Sequence, residues 1–158
     1  MANTFTQIYI QIVFAVQNRL SLLAPSWRTE LFKYTTGIIK RRGQKLIVIN
    51  GVADHIHIFV GMTPTIAISD LVRDIKAGSS AFVNQRRFTN GTFHWQEGFG
   101  AFSYSHADID RVVRYILNQE EHHRKKTFRE EYLEMLKEFA VEYDERYLFK
   151  WIDEESEE

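Results

Sequence analysis

Apolar and polar positions recur along the chain in two rhythms, and the rhythm changes at turn residues. Residues 6–16, Thr-Gln-Ile-Tyr-Ile-Gln-Ile-Val-Phe-Ala-Val, are β-branched and aromatic and predict a strand. Past Pro25-Ser26, residues Trp27, Leu31, Tyr34 and Ile38 repeat at helical spacing until Gly43 stops them. Residues 45–52 predict a second strand, and a tight turn near Ala53-Asp54 leads into a third, His55 to Gly61. Ile68, Leu71, Val72, Ile75 and Phe82 mark an amphipathic helix running to about Arg86. A short fourth strand fits 100–104, and two further helices fit 108–122 and 128–139.

The order β-α-β-β-α-β is that of the split βαβ, ferredoxin-like arrangement. It predicts an α+β fold: an antiparallel sheet with helices on one face, plus the C-terminal helices. With 158 residues, 44% of them hydrophobic, the chain suffices for one domain with a real core, expected over 1–150. An acidic tail, 151–158, follows it. The absence of cysteine excludes disulfides, thiolate metal sites and thiol nucleophiles. No apolar run reaches the roughly 18 residues a membrane helix needs, and the first residues lack a signal-peptide build. The expected location is therefore the cytoplasm, with no membrane partner.

A net charge of −1 argues, taken whole, against a polyanionic partner. The charges are unevenly placed, however. Residues 1–128 hold 16 Lys and Arg against 9 Asp and Glu, a balance of +7, while 129–158 hold 4 against 12, a balance of −8. A basic body thus precedes an acidic end, and salt-sensitive DNA binding stays open despite the average.

The sharpest local feature is His55-Ile56-His57. Side chains alternate along a strand, so the two imidazoles share one face while Ile56, Ile58 and Val60 share the other. Two imidazoles so placed can converge on one divalent ion. On its own the pattern also fits two histidines on a solvated face. A second feature lies in 108–119, where Ile109, Val112, Val113, Ile116 and Leu117 form a core stripe. At about 100° per residue, Tyr115 lies about 130° from the centre of that stripe, with Gln119 directly above it. Tyr115 also fits an amphipathic tyrosine at the stripe's edge, but the Gln119 amide oxygen could supply a hard ligand beside two imidazoles. His122 and His123 extend the same face and rank below Gln119 as ligands.

Together, His55-Ile-His57 and Tyr115-Ile-Leu-Asn-Gln119 resemble the single-tyrosine HUH transposases of small bacterial insertion sequences, the IS200-like family, where U is a hydrophobic residue. The stretches Asp70-Leu-Val-Arg-Asp-Ile-Lys-Ala-Gly-Ser-Ser80, 95–103 and 118–128 are similar to that family too, and the likeness spans about 7–147. The resemblance implies an enzyme of DNA transposition and recombination, cutting and rejoining single-stranded DNA at hairpin-bearing element ends. It implies Tyr115 as the nucleophile, joined to a 5′-phosphate, and His55, His57 and Gln119 as ligands of one Mg²⁺ or Mn²⁺. It also implies a homodimer, in which such enzymes often pair the histidines of one subunit with the tyrosine helix of the other.

The chemistry suits these residues. A phenol with a pKa near 10 needs help to attack, and a metal on the phosphate would supply it. A covalent phosphotyrosine stores the phosphodiester energy, so no nucleotide cofactor is required. For DNA contact, the helix over 66–86 offers Arg73, Lys76, Ser79 and Ser80, and Phe88, Phe93, Trp95 and Phe99 could stack unpaired bases. Two other readings stand: a non-catalytic nucleic-acid-binding regulator of the same fold, and a metal-dependent nuclease in which water attacks. If the acidic end screens the basic body, deleting 153–158 strengthens non-specific DNA binding at moderate salt; unchanged affinity in a filter-binding titration marks the tail as a solvated end only.

Overall fold

A computed structural model describes residues 3–152. Strands β1 (Tyr9–Ala15), β2 (Lys45–Gly51), β3 (His55–Gly61) and β4 (Gly100–Tyr104) form one antiparallel sheet in the order β2-β3-β1-β4. Helix α1 (Arg28–Arg41) joins β1 to β2, and α2 (Ile68–Arg86) joins β3 to β4. Three further α-helices follow β4: α3 (Ile109–Leu117), α4 (Gln119–Lys125) and α5 (Phe128–Glu138). The element order and the α+β class are as the sequence predicts. Helices cover both faces of the sheet, however, rather than one.

The reason lies in the central strands, which are buried on both sides. In β1 and β3, Ile10, Ile12 and Phe14 pair with Val60, Ile58 and Ile56, and this row packs against α1 and α2. Leu31, Ile39, Leu71 and Ile75, at helical spacing, are its fully buried partners. The two helices cross closely at Gly78, where a Cβ would stand 2.7 Å from Ile38 Cδ1. The alternate positions, Gln11, Val13, His55, His57 and Phe59, are also shut away from water, beneath α3, α4 and α5.

One row across this second face anchors both α3 and α5: Asn50, His57, Val13 and Gly100 are directly opposed on β2, β3, β1 and β4. Gly100 is small for a reason. A Cβ there would meet the Tyr132 hydroxyl at 2.6 Å, so glycine lets α5 approach the sheet two strands from His57. Strand β3 is fed by a turn just as tight, since a Cβ on Gly51 would lie 2.5 Å from the His55 carbonyl oxygen. The packed chain runs on past 150. Ile152 is buried, and Trp151 meets Phe128 at 5.5 Å, so these two belong to the body rather than to the tail. The acidic run 153–158 lies outside the described residues. Among the described residues no helix is long and apolar enough to cross a membrane.

Candidate active site

The two histidines of β3 point away from Ile56 and Ile58, and each is fixed through its Nδ1. His55 Nδ1 lies 2.7 Å from Asp54 Oδ1, and His57 Nδ1 lies 2.7 Å from Gln11 Oε1. Gln11 is itself held, its Nε2 donating to the Tyr104 hydroxyl at 2.9 Å. Both partner oxygens only accept, so each Nδ1 carries the hydrogen and each Nε2 points into the space beneath α3–α5. His55 also stacks on Phe128, centroids 3.8 Å apart and planes 9° from parallel.

Tyr115 and Gln119 arrive from the helical layer, in two pieces rather than one. The single helix expected over 108–122 is broken at Asn118, whose φ of −96° and ψ of 22° end α3 before α4 begins. Asn50 holds that end: its Nδ2 donates to the carbonyls of Ile116 at 2.9 Å and Leu117 at 3.3 Å, groups a helix terminus leaves unpaired. Val112 and Ile116 pack on Phe59 as the stripe predicts, whereas Leu117 is 61% exposed and lies outside it. Tyr115 is half-buried, its ring edge-on to His57 at 6.0 Å and over His122 at 4.6 Å. Gln119 is fully buried, with Oε1 3.3 Å from His55 Nε2.

The centre of the cluster is a residue absent from the sequence candidates, Glu131 of α5. Its Oε1 stands 3.1 Å from His55 Nε2, 3.0 Å from His57 Nε2 and 3.2 Å from His123 Nε2. Its Oε2 accepts from the Tyr115 hydroxyl and from Gln119 Nε2, the latter at 3.1 Å. His55, His57 and Glu131 each offer a ligand atom within 4.8 Å of the others, a buried set able to hold a metal ion. Glu131 was legible in principle: Phe128, Tyr132, Met135 and Leu136 make a buried stripe on α5, and a carboxylate stands inside it.

The electrostatics follow from that burial. Desolvation works against charge on His55, but hydrogen bonds to and charges of Asp54 and Glu131 outweigh it and carry the imidazole up to about 9. Desolvation wins at His57, which is held below its ordinary value. For Glu131, burial would raise the carboxyl, yet the facing imidazoles hold it well below the usual carboxylate range. Burial, and then the charge of Glu131, push the Tyr115 phenol well above its ordinary value, so the phenol keeps its proton and points it at the carboxylate.

The residues expected to meet DNA lie across the sheet, beside α2, and only some are available. Arg73 is 68% exposed and pairs with Asp70 at 3.1 Å. Lys76 donates to the carbonyls of Gln96 and Gly98 at 2.8 and 2.7 Å, tying α2 to the loop before β4. Ser80 donates to the Lys76 carbonyl. Ser79 is a correction to the expectation: it is fully buried and accepts from Trp95 Nε1 at 2.9 Å, so it reaches no surface. Phe93 and Trp95 are core residues, and the half-buried Phe88 stacks on Trp27. Arg73, Lys76, Ser80 and Phe99 line an open cleft of about 500 Å³.

Compared with known proteins, residues 4–119 match the family model described as "Transposase IS200 like". No curated protein sequence matches the chain significantly. Among solved structures, one from Deinococcus radiodurans, provisionally assigned as a transposase, is similar at 21% identity over 75% of this chain and 95% of that one, with a TM-score of 0.57. A second, the REP-associated tyrosine transposase bound to a REP hairpin, is similar at 16% identity over 78% of this chain and 73% of that one, with a TM-score of 0.58. At these identities the structures establish the shared fold.

Because Asn50 fastens the end of α3 to the sheet, Asn50→Ala lowers stability by about 1 kcal/mol and speeds amide exchange over 112–118. Exchange there as slow as in the parent protein would show that packing on Phe59 holds the helix unaided.

Proposed function

The chain belongs to the IS200-like transposases, enzymes that cut DNA and transfer its strands, and from that premise we propose that it acts on single-stranded DNA through Tyr115. The observation that carries this reading is the meeting of Tyr115 with His55, His57 and Gln119 of the same chain in one buried polar cluster.

In the proposed reaction the Tyr115 oxygen bonds to the scissile phosphorus and the P–O3′ bond breaks. The phenolic proton is lost, the departing 3′-oxygen gains one, and the product is a 5′-phosphotyrosine and a 3′-hydroxyl. A 3′-hydroxyl from another strand reverses the step and joins to a new partner, with no change in bond count and no external energy source. His55, His57 and Gln119 would hold one Mg²⁺ or Mn²⁺: two imidazole Nε2 atoms and an amide oxygen face inward, a donor set suited to such an ion. When bound, such an ion would make the phosphorus more electrophilic and stabilise the leaving oxygen. Asp54 and Gln11 keep both imidazoles in the tautomer that frees Nε2, and Glu131 aims the phenol.

The substrate is proposed to be DNA with a hairpin at the element's end, a reading supported by the solved relative bound to a REP hairpin. Arg73, Lys76 and Ser80, around the cleft beside α2, are the proposed DNA contacts on this chain. The enzyme is proposed to work as a homodimer. Since each chain brings Tyr115 to its own histidines, such a dimer carries two complete sites.

Incubated with single-stranded oligonucleotides from its element's ends and Mn²⁺, the protein forms a covalent adduct that survives a denaturing gel. Tyr115→Phe forms none yet binds the oligonucleotide within about threefold of the parent, and His57→Ala loses at least about a hundredfold in rate. Cleavage without any adduct would favour water as the nucleophile. Binding without cleavage or adduct would favour a regulator.

A further inference from the structure

Three imidazoles, not two, turn Nε2 toward the centre of the cluster. The Nδ1 atoms of His55 and His57 are committed to Asp54 and Gln11, and His123 Nδ1 donates to the Lys126 carbonyl at 2.8 Å. That leaves each Nε2 as an acceptor in the neutral ring. The groups these nitrogens face are acceptors too. His123 Nε2 lies 3.1 Å from Gln119 Oε1, as well as 3.2 Å from Glu131 Oε1. Gln119 is oriented by its Nε2, which donates to Glu131 Oε2, so its oxygen is the atom turned inward.

The carboxylate is divided the same way. Oε2 receives two hydrogens, from Tyr115 and Gln119, whereas Oε1, among the described residues, faces the three imidazole nitrogens. Electron-pair donors therefore crowd round Oε1: those of His55, His57 and Glu131 lie within 4.8 Å of one another, and His123 Nε2 and Gln119 Oε1 flank them. A proton on one ring serves a single contact to Oε1, while a cation among the donors serves several at once. The spacing suits a cation. Ligand atoms on neighbouring corners of an ion at about 2.1 Å stand about 3 Å apart, and the two histidines of β3 lie 3.0 and 3.1 Å from Oε1.

We propose that Glu131 and His123 are ligands of the site's divalent ion, completing a set that His55, His57 and Gln119 begin. Both residues lie beyond the 4–119 match, on α5 and α4. The inference rests on the proposed metal site at His55 and His57. It adds that the chain's last helices close the coordination sphere, and that one carboxylate joins the ion to the tyrosine: Oε1 on the metal, Oε2 on the phenol. Ion binding then anchors α4 and α5 to the sheet.

The test is Mn²⁺ binding by the full chain, followed by isothermal titration and by the loss of the free-ion signal in electron paramagnetic resonance. The parent protein binds one Mn²⁺. Glu131→Ala and His123→Ala each weaken binding by at least about tenfold, and His57→Ala does so too. Affinity within twofold of the parent in Glu131→Ala or His123→Ala, with His57→Ala impaired, removes that residue from the ligand set and overturns the proposal for it. Mn²⁺ uptake that is absent in the parent, or untouched by His57→Ala, overturns the reading beneath. Should Glu131→Ala not fold by circular dichroism, Glu131→Gln takes its place. An anomalous-difference peak for Mn²⁺ within about 2.5 Å of Glu131 Oε1 in parent crystals supports the assignment, and a peak on the histidines alone overturns it.

Discussion

A carboxylate with 2% of its surface exposed stands beneath the sheet at Glu131, and it stays there because five polar groups share its charge or its lone pairs. Three of those groups are imidazoles, one is an amide and one a phenol, while the apolar wall of α5 excludes water. Removing one partner from such a buried set costs on the order of 3–5 kcal/mol, because the remaining charge has nowhere to go. The placement of the helical layer is bound to this constraint. β3 brings His55 and His57, α3 brings Tyr115, α4 brings Gln119 and His123, and α5 brings the acid. Gly100 and Asn50, at the two ends of one row through His57, set how close α5 and α3 can come.

The sheet thereby separates two tasks by the period of two along its central strands. Ile10, Ile12, Phe14, Ile56, Ile58 and Val60 form an ordinary apolar floor for α1 and α2. The intervening residues hold Gln11, His55 and His57 in a rigid row, buried as deeply as the floor itself. Rigidity would matter for the proposed reaction, in which the nucleophile meets phosphorus at a fixed angle and meets it again on rejoining. The break at Asn118 divides the tyrosine from the glutamine and leaves each on its own short helix. Both remain tied through the same carboxylate.

Much of this was legible in the sequence, because periodicity and turn residues report local structure directly. The four strands, α1, α2 and α5 fall where alternation and helical spacing place them, and the His-x-His pair on one strand face follows from the pleat alone. Glu131 was hidden by its surroundings: a charged residue in a helix reads as solvated unless the stripe of Phe128, Tyr132, Met135 and Leu136 around it is counted first. Ser79 misled for the opposite reason. Its hydroxyl suits a phosphate, but its partner is the Trp95 indole, sixteen residues away and unreadable by spacing. The division at Asn118 depends on Asn50, a contact across 66 residues that no local rule contains. The near-zero net charge concealed a basic body behind an acidic end, and only the distribution along the chain restored DNA as a partner.

One chain is proposed to supply both the tyrosine and the histidines that act together. Mixing two inactive variants, Tyr115→Phe and His57→Ala, under conditions that let subunits exchange tests it most directly, with covalent adduct on single-stranded DNA as the readout. If each site is built within one chain, every mixed dimer holds two defective sites and the mixture stays as inactive as its parts. Adduct recovered to a substantial fraction of the parent level would mean that tyrosine and histidines are drawn from different chains.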